Sequence, residues 1–355
     1  MNRRTLLGSL GATGVAMTAG CMGGDDEGGA GGDGLRAAFV YDGRIGDQGW
    51  IHSHNEGRLA AEEEFDWLET DFQENVDPAE SERVMDDFAE AGYDVVYPTS
   101  VTFAEAAANA AERHPDTIFE VANGYTPGEN LSGYSVRYYE GRYALGVAAG
   151  LLTETDRIGF IGAVAVPLTF RDINSFALGA QSVNPDITLV PRMMNTFYAP
   201  QDATSTVQDF ASDDIDVIAT NLDTTATVSA CNDEGIWGCG RDSSQREAGG
   251  DTYLSAVLSE WDAMYKDISE SVRDETWDNQ PIWQGFDEGG VELDEFGPNV
   301  PDDVIDEVME TREDIINGNV DIWEGSRFEG QSEDPTGEIR ANMTEYVDAV
   351  EGDAP

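Results

Sequence analysis

The chain has 355 residues and carries 71 acidic against 19 basic side chains, which gives a formal net charge of −52 at pH 7. Nucleic acid is excluded as a partner because no basic stripe is available to neutralise phosphates, and the length exceeds what one hydrophobic core comfortably supports, which predicts two domains. The acidic residues are spread over every segment, a solvated coat typical of proteins kept soluble in near-saturating salt, so we expect an extreme halophile, such as a haloarchaeon, as the source.

The N-terminal residues have the order of an export signal. Arg3 and Arg4 resemble a twin-arginine signal, and the weakly apolar residues 6–20 that follow are too short to span a membrane. Small residues precede Cys21, the pattern that is cleaved and lipidated in lipoproteins, so we interpret residues 1–21 as a lipoprotein signal peptide and 22–34 as a flexible Gly/Asp tether. The chain would then be exported and lipid-anchored through Cys21 on the extracellular face of the cell membrane. Alternatively, Cys21 is incidental to an ordinary cleaved signal.

From residue 35 onward, short β-branched runs alternate with amphipathic helices. A first series is predicted to have strands 35–41, 67–73, 93–98, 116–121 and 133–138, with a helix starting near Trp50 and further helices 78–91, 101–113 and 140–152. The pattern then restarts with strands 157–161, 187–194, 215–220 and 236–239 and helices 168–183, 201–211 and 224–234. Such alternation predicts an α/β fold of parallel sheets covered by helices, and two series predict two sheets.

After Asp242 the pattern is less regular. We predict a strand at 252–258, a helix at 260–274, a strand-like segment at 283–293 and a helix at 304–317. The expected organisation is a first lobe (35–153) and a second lobe (154–242), with a return to the first lobe at 243–280 and to the second at 281–330. Residues 331–355 are acidic and weakly periodic, and we expect a surface tail that is partly helical at 340–350.

Ligands of open α/β sheets bind at the carboxyl ends of strands, so a ligand site is expected in the loops there. The loop after the first strand carries Asp47, Gln48 and Trp50, an aromatic face beside hydrogen-bonding groups that suits a flat polar ligand; Trp50 packing on its own helix is the alternative. Asp223 lies at a helix start, where simple capping is an equally direct explanation. The other strand-end candidates are Asn123, Phe197, Asp242 and Trp261.

No motif for catalysis is present: the sequence has no G-x-S-x-G elbow, no H-E-x-x-H and no Walker loop, so no catalytic residue, cofactor or enzymatic activity is expected. Beyond Cys21 only Cys231 and Cys239 occur, and they are compatible either with a disulfide or with two buried thiols. A metal site is not expected from two thiols, and His52 and His54 lie two apart on a predicted helix, so they point to different faces.

Several blocks resemble the basic-membrane-protein (BMP) family of substrate-binding lipoproteins of ABC importers. They cover residues 35–325 in the family's order, and two long blocks, YYEGRYALGVAAGLLTETDRIGFIGA (138–163) and RDINSFALGAQSVNP (171–185), are specific. The shorter blocks are GDQGWIHSHNEGR (46–58), NTFYAP (195–200), GCGRDSS (238–244) and TYLSAVLSEWDAMY (252–265).

The resemblance implies a type I periplasmic-binding-protein fold, with two Rossmann-like lobes joined by a multi-strand hinge and a cleft between them. It also implies a purine ligand sandwiched by Trp50 and Phe197, with Asp47 and Gln48 on the base edge. Further cleft residues carried over from the family are Asp223, Asp242, Trp261, Asn123 and Gly285.

One departure from the family bears on the ligand. The nucleoside-binding branch has Ser-Phe-Asn where this chain has Gln48-Gly49-Trp50, which favours a nucleobase such as adenine over a nucleoside. The expected protein is a monomer that closes on its ligand and docks on a membrane permease of an ABC importer. Binding of another flat or sugar-like solute, or a sensor built on the same fold, are the competing interpretations.

Overall fold

The structure, a computed structural model, describes residues 34–46, 48–124 and 126–354. The expected signal peptide, Cys21, most of the tether and Asp47 lie outside the described residues. No helix of the described part is both long and apolar enough to cross a membrane.

Twelve strands and eleven α-helices alternate along the described chain. The strands are β1 (Leu35–Val40), β2 (Leu68–Gln73), β3 (Val95–Pro98), β4 (Ile118–Ala122), β5 (Leu131–Val136), β6 (Arg157–Gly162), β7 (Thr188–Met193), β8 (Val217–Thr220), β9 (Trp237–Asp242), β10 (Tyr253–Ser259), β11 (Ile282–Gln284) and β12 (Val291–Leu293). The helices are α1 (Trp50–Glu64), α2 (Ser81–Glu90), α3 (Ala104–Arg113), α4 (Tyr138–Leu152), α5 (Pro167–Val183), α6 (Pro200–Ser212), α7 (Ala226–Glu234), α8 (Arg246–Gly249), α9 (Trp261–Arg273), α10 (Asp302–Ile316) and α11 (Glu338–Ala341).

The strands form two six-stranded sheets, which confirms the predicted α/β fold. The first sheet has the order β11-β5-β4-β3-β1-β2 and all its pairs are parallel. The second has the order β12-β10-β9-β8-β6-β7, and β12 alone runs antiparallel, along β10. We call each sheet with its covering helices a lobe: α1–α3 and α9 belong to the first lobe, α4–α8, α10 and α11 to the second.

The chain passes between the lobes after β5, after β10 and again between β11 and β12. We expected residues 243–280 to return to the first lobe, but β10 pairs in parallel with β9 of the second sheet, and the return begins at α9. The segment 283–293, expected as one strand-like run, is divided between the sheets. A turn between β11 and β12, where Gly289 has φ 76°, permits the division because glycine adopts this conformation without strain.

The C-terminal residues are not the surface tail that we expected. α11 ends at Ala341, and Ile339, Met343, Tyr346 and Val350 are buried. Val350 forms a bridge with Leu189, beside the edge of the second sheet. The apolar residues scattered among the acidic ones are too irregularly spaced to reveal this burial by periodicity.

Strands of both lobes are buried on their two faces, as expected where helices cover a parallel sheet. In the second lobe, glycines permit α4 and α5 to pack very closely. A Cβ at Gly179 would overlap the Tyr143 carbonyl, and one at Gly146 would overlap the Phe176 carbonyl. The two long blocks that carry the family resemblance are therefore, in large part, the packed pair α4 and α5.

Candidate functional site

The start of α1 in the first lobe faces the loop after β8 in the second. Gly49, which precedes α1, has φ 85°, and no side chain of its own segment caps the helix. The Trp50 amide instead donates to Asp223 Oδ1 at 3.3 Å, and the Gly49 amide to Ser243 Oγ at 3.5 Å. The second lobe thus supplies acceptors to the N-terminus of a first-lobe helix, an end that favours negative charge.

Trp50 is half-buried and fixed in orientation. Its Nε1 donates to the Thr99 carbonyl at 2.7 Å, and its ring lies edge-on to His54 and Trp261, at 4.3 and 5.2 Å between centroids. Trp261 is 1 % exposed, stacks on His54 at 4.2 Å and donates from Nε1 to Ser53 Oγ at 3.1 Å. Trp261 therefore supports Trp50 from the core side. Burial lowers the pKa of His54 well below its usual value, so this imidazole is neutral.

Asp223 of the second lobe meets Trp50, and Phe197 lies on a neighbouring loop of the same lobe. The Asp223 amide donates to the Phe197 carbonyl at 2.8 Å, which ties the two loops together. The Phe197 side chain is 36 % exposed. An exposed aromatic on a loop bonded to one that carries a carboxylate is able to cover a ligand ring.

Burial and the neighbouring Asp242 raise the pKa of Asp223 to about 7, against the opposing influence of Arg241 and of the Trp50 amide. Asp223 is therefore able to present either a protonated carboxyl, which donates, or a carboxylate, which accepts, near neutral pH. Asp223 does not cap its own helix, because α7 has no side-chain cap.

Asp242, the last residue of β9, is 4 % exposed and held by a buried network. Its Oδ1 accepts from Tyr138 Oη at 2.6 Å, and both carboxylate oxygens lie 3.2 Å from Arg241 Nε. Arg241 also pairs with Asp172 at 3.4 Å, and Asp172 lies 4.0 Å from Arg142. The opposite charges stabilise one another away from water and fix the Asp242 carboxylate at the end of the strand.

A cavity of about 350 Å³ lies between α1 and the carboxyl ends of β9 and β10. Asp242 and Trp261 contribute to its wall, together with His52, Ser243 and Glu260. Burial and the nearby Asp262 raise the pKa of Glu260. The volume falls within the range of small-molecule pockets, which is roughly 300–1,000 Å³.

The remaining predicted site residues lie in three different parts of the fold. Asn123 follows β4 with φ 57°, and its Oδ1 accepts from Ser135 Oγ at 2.6 Å. Gln48 is half-buried beside Gly49. Gly285 lies at the hinge, where a Cβ would overlap the carboxylate of Glu140, so its small size is required for packing against the Arg137–Glu140 ion pair.

Sequence reasoning missed Tyr138, Arg241 and Ser243. Arg241 directly precedes Asp242, and Tyr138 begins a helix immediately after a strand, so their positions at strand ends were a usable signal. The two cysteines, Cys231 and Cys239, are buried free thiols, and burial raises the pKa of Cys239 to about 12. Among the residues with described positions, no group of three or more His, Cys, Asp or Glu is arranged to hold a metal ion.

Comparisons with a family model and with individual known proteins agree on the family. The family model described as "ABC transporter substrate-binding protein PnrA-like" (Bmp) matches residues 35–325. A putative ABC transporter glucose-binding protein of Haloferax volcanii is 37 % identical, covering 100 % of this chain and 98 % of its own. A purine-binding protein of Brucella abortus is 35 % identical, covering 90 % of this chain and 94 % of its own.

Solved structures show the same fold at low sequence identity. A transcriptional activator of comK from Bacillus halodurans superposes with a TM-score of 0.72 at 22 % identity, covering 81 % of this chain and 99 % of its own. An ABC transporter solute-binding protein from Conexibacter woesei gives 0.69 at 18 % identity, covering 81 % of this chain and 98 % of its own.

Proposed function

The chain belongs to the PnrA-like (Bmp) family of ABC transporter substrate-binding proteins, and from that premise we propose that it captures a purine nucleobase, adenine-like, or its nucleoside, between its two lobes. Members of this family bind small molecules and deliver them to a permease, so the chain is a binding protein and not an enzyme. Substrate-binding proteins of ABC importers act outside the cytoplasmic membrane.

The observation that carries the proposal is the meeting of Trp50 and Asp223 between the lobes, with Phe197 exposed on the loop that is bonded to Asp223. Trp50 is held rigidly by its bond to Thr99 and by the rings beneath it, so it offers a fixed surface for stacking. Phe197 supplies an aromatic surface from the other lobe. A flat ring between two aromatics buries both of its faces, which suits a purine.

The polar groups of the cleft match the edge of an aminopurine. Such an edge alternates ring nitrogens, which accept hydrogen bonds, with an amino group that donates. The Asp242 carboxylate is fixed as an acceptor by Tyr138 and Arg241, whereas the raised pKa of Asp223 allows its carboxyl to donate. Asp47 and Gln48 remain proposed contacts to the base edge, as does Asn123.

A sugar is the second candidate, and a specific finding favours it. The relative that matches the whole chain, at 37 % identity, is named as a putative glucose-binding protein. Fixed carboxylates and a tryptophan face also suit a hexose, whose hydroxyls donate to carboxylates and whose C–H face packs on an indole. The two candidates differ in the role of Phe197, because a purine needs two aromatic faces and a pyranose needs one.

Ligand capture proceeds by closure of the lobes about the three crossing segments. A ligand that contacts both lobes stabilises the closed form by its differential affinity for that form. The Trp50 amide at the start of α1 donates to Asp223 of the other lobe. This hydrogen bond joins the lobes and so contributes to the stability of the closed state. Stacking and a few charge-assisted bonds would give micromolar binding, on the order of 8 kcal/mol.

We further propose that the mature chain is a monomer anchored through lipidated Cys21, with residues 22–34 as a tether that keeps the lobes near a partner permease. Export as a folded protein fits the twin-arginine pattern of Arg3 and Arg4. Mass spectrometry of the protein isolated from its membrane would give a chain that begins at a lipid-modified Cys21; an unmodified chain starting after residue 21 would contradict the anchor.

The natural ligand can be identified by an experiment that does not assume its identity. Protein purified from its native host in molar KCl, without dialysis, is denatured, and the released small molecules are identified by mass spectrometry. We expect adenine or a related purine at a molar ratio approaching one. A hexose in that amount, with purines absent, would overturn the purine assignment in favour of the sugar.

A further inference from the structure

The C-terminal segment crosses from one lobe to the other. We define the strap as residues 333–350, which lie beyond residue 325, where the family match ends. The strap was expected to be a surface tail, yet six of its apolar side chains are buried and Arg340 is 1 % exposed. A segment that buries a guanidinium and several apolar groups is part of the fold and has a defined position.

One set of contacts fastens the strap to the second lobe. Asn174 of α5 is fully buried; its Nδ2 donates to the Glu345 carbonyl at 2.9 Å, and its Oδ1 accepts from the Val347 amide at 3.1 Å. The Leu189 amide at the edge of the second sheet donates to the Ala349 carbonyl at 2.9 Å. These are bonds to backbone groups, which hold the path of the chain irrespective of the side chains on the strap.

A second set of contacts reaches the first lobe. Arg340 Nη2 donates to the Gly124 carbonyl at 3.1 Å, and its Nη1 donates to the Pro335 carbonyl at 2.9 Å. The same guanidinium lies over the ring of Trp283 in β11, at 5.6 Å from the centroid. A further guanidinium, that of Arg171 from α5, lies over the same ring at 5.4 Å and donates to the Ile339 carbonyl at 3.3 Å.

The first-lobe carbonyl that Arg340 contacts belongs to the turn carrying Asn123. This turn is tight: Asn123 has φ 57°, and a Cβ at Gly124 would come within 3.0 Å of the Val121 carbonyl oxygen. Ser135 holds the Asn123 side chain from within the first lobe. Arg340 therefore contacts the same turn from outside it, through a segment anchored in the second lobe.

We propose that the strap is a fourth, non-covalent connection between the lobes and that Arg340 is a positioning residue for the Asn123–Gly124 turn of the binding cleft. The inference rests on the proposed function in so far as the turn contacts the ligand. Because Arg340 donates to carbonyls and packs on an indole, salt screens these contacts little, so they persist in molar KCl. The strap thereby limits the opening of the lobes and pre-organises one wall of the cleft.

The test uses the full chain, with and without added adenine, and reads backbone hydrogen exchange of residues 122–131 by mass spectrometry. Arg340→Gln removes the bond to Gly124, and we expect at least tenfold faster exchange of that turn in the ligand-free protein, together with at least fivefold weaker adenine binding. Arg340→Lys keeps the charge and one donor group, and we expect a partial rescue of both effects.

The matched control is Arg327→Gln. Arg327 bonds Glu345 and Asp348 at the exposed surface of the strap, and we expect its loss to leave both the turn and the affinity unchanged. Should Arg340→Gln fail to fold, Tyr139→Phe loosens the start of the strap by removing the Tyr139–Glu333 bond, and we expect a smaller acceleration of the same turn.

The possible outcomes distinguish a failure of the strap proposal from a failure of the purine proposal. Faster exchange of the turn with no purine binding by any variant supports the strap and overturns the purine assignment. Unchanged exchange of residues 122–131 in a folded Arg340→Gln protein, with faster exchange confined to the strap, overturns the connection between lobes. Faster exchange of the turn with unaltered affinity overturns the positioning role.

Discussion

Trp50 and Phe197 are the two side chains that would hold a flat ring, and their surroundings differ. Trp50 rests on Trp261 and His54, whereas Phe197 is exposed on a loop. Phe197→Ala should weaken purine binding at least tenfold with little effect on folding, because the removed ring makes few internal contacts. Fluorescence or calorimetric titration measures the affinity.

The neighbouring Tyr198 offers a matched control. It is 67 % exposed, on the same loop. Tyr198→Ala should leave affinity within about twofold. Equal losses of affinity in both variants would mean that binding depends on the loop as a whole and not on the Phe197 ring. Retained purine affinity in Phe197→Ala would show that the Phe197 ring does not stack on the ligand, which would overturn the two-aromatic sandwich.

The pKa of Asp223, raised to about 7, makes a prediction about stability. The folded protein keeps this proton at pH values where the unfolded chain has lost it, so the site's contribution to stability declines as pH rises from about 4 and is fully lost above about pH 7. Asp223→Asn cannot titrate. The free energy of unfolding of Asp223→Asn, relative to the parent chain, should therefore rise across this range.

The difference in the free energy of unfolding between Asp223→Asn and the parent chain changes by at most about 1.4 kcal/mol per pH unit. The change is smaller than this bound because the carboxyl is only partly buried and solvent screens it. Chemical denaturation at pH 5, 6, 7 and 8 in constant molar KCl measures it. A difference that is independent of pH would show that Asp223 has an ordinary acidity and cannot act as a donor near neutral pH.

At the level of elements, the packed helices α4 and α5 are predicted to be intolerant of added volume. Alanine normally stabilises a helix relative to glycine by about 1 kcal/mol. At Gly179, however, a Cβ would overlap the Tyr143 carbonyl, so Gly179→Ala should destabilise the protein by about 1–3 kcal/mol. Thermal unfolding checks the sign, and a stabilised variant would mean that the two helices are less closely packed than the structure shows.

Most strands and helices were predictable because each one has a strong local signal. Buried parallel strands are continuous apolar runs, and α2 and α9 have a clear polar and apolar face. The lobe to which β10 belongs was not predictable, since a strand buried on both faces carries no information about its neighbours. The buried C-terminal strap was missed because its apolar residues follow no period.

The candidate site was predictable to a similar depth. Position at strand ends identified Asp223, Asp242 and Trp50, which lie at the interface between lobes or beside it. The sequence does not distinguish their positions: an aromatic at a helix start has the same sequence pattern whether it lies at the contact with the other lobe, like Trp50, or packs beneath it in the core, like Trp261. Only the fold shows that Asp223 caps a helix of the other lobe.

For the whole molecule, the net charge of −52 predicts that stability depends on salt. Lowering ionic strength from about 1 M to 0.1 M lengthens the screening distance from about 3 to 10 Å and strengthens self-repulsion in the compact state. The melting temperature should fall by roughly 10 °C or more between 3 M and 0.1 M KCl. Sucrose at the same water activity should not replace the salt; if it does, the effect is exclusion of solute and not screening.

We propose that a purine binds between the two lobes and closes them, and isothermal titration calorimetry in molar KCl tests this binding most directly. Adenine and glucose are each titrated into the same ligand-free preparation. We predict saturable, one-to-one binding of adenine with micromolar or tighter affinity and no measurable heat from glucose. Saturable binding of glucose without any response to adenine would contradict the purine assignment.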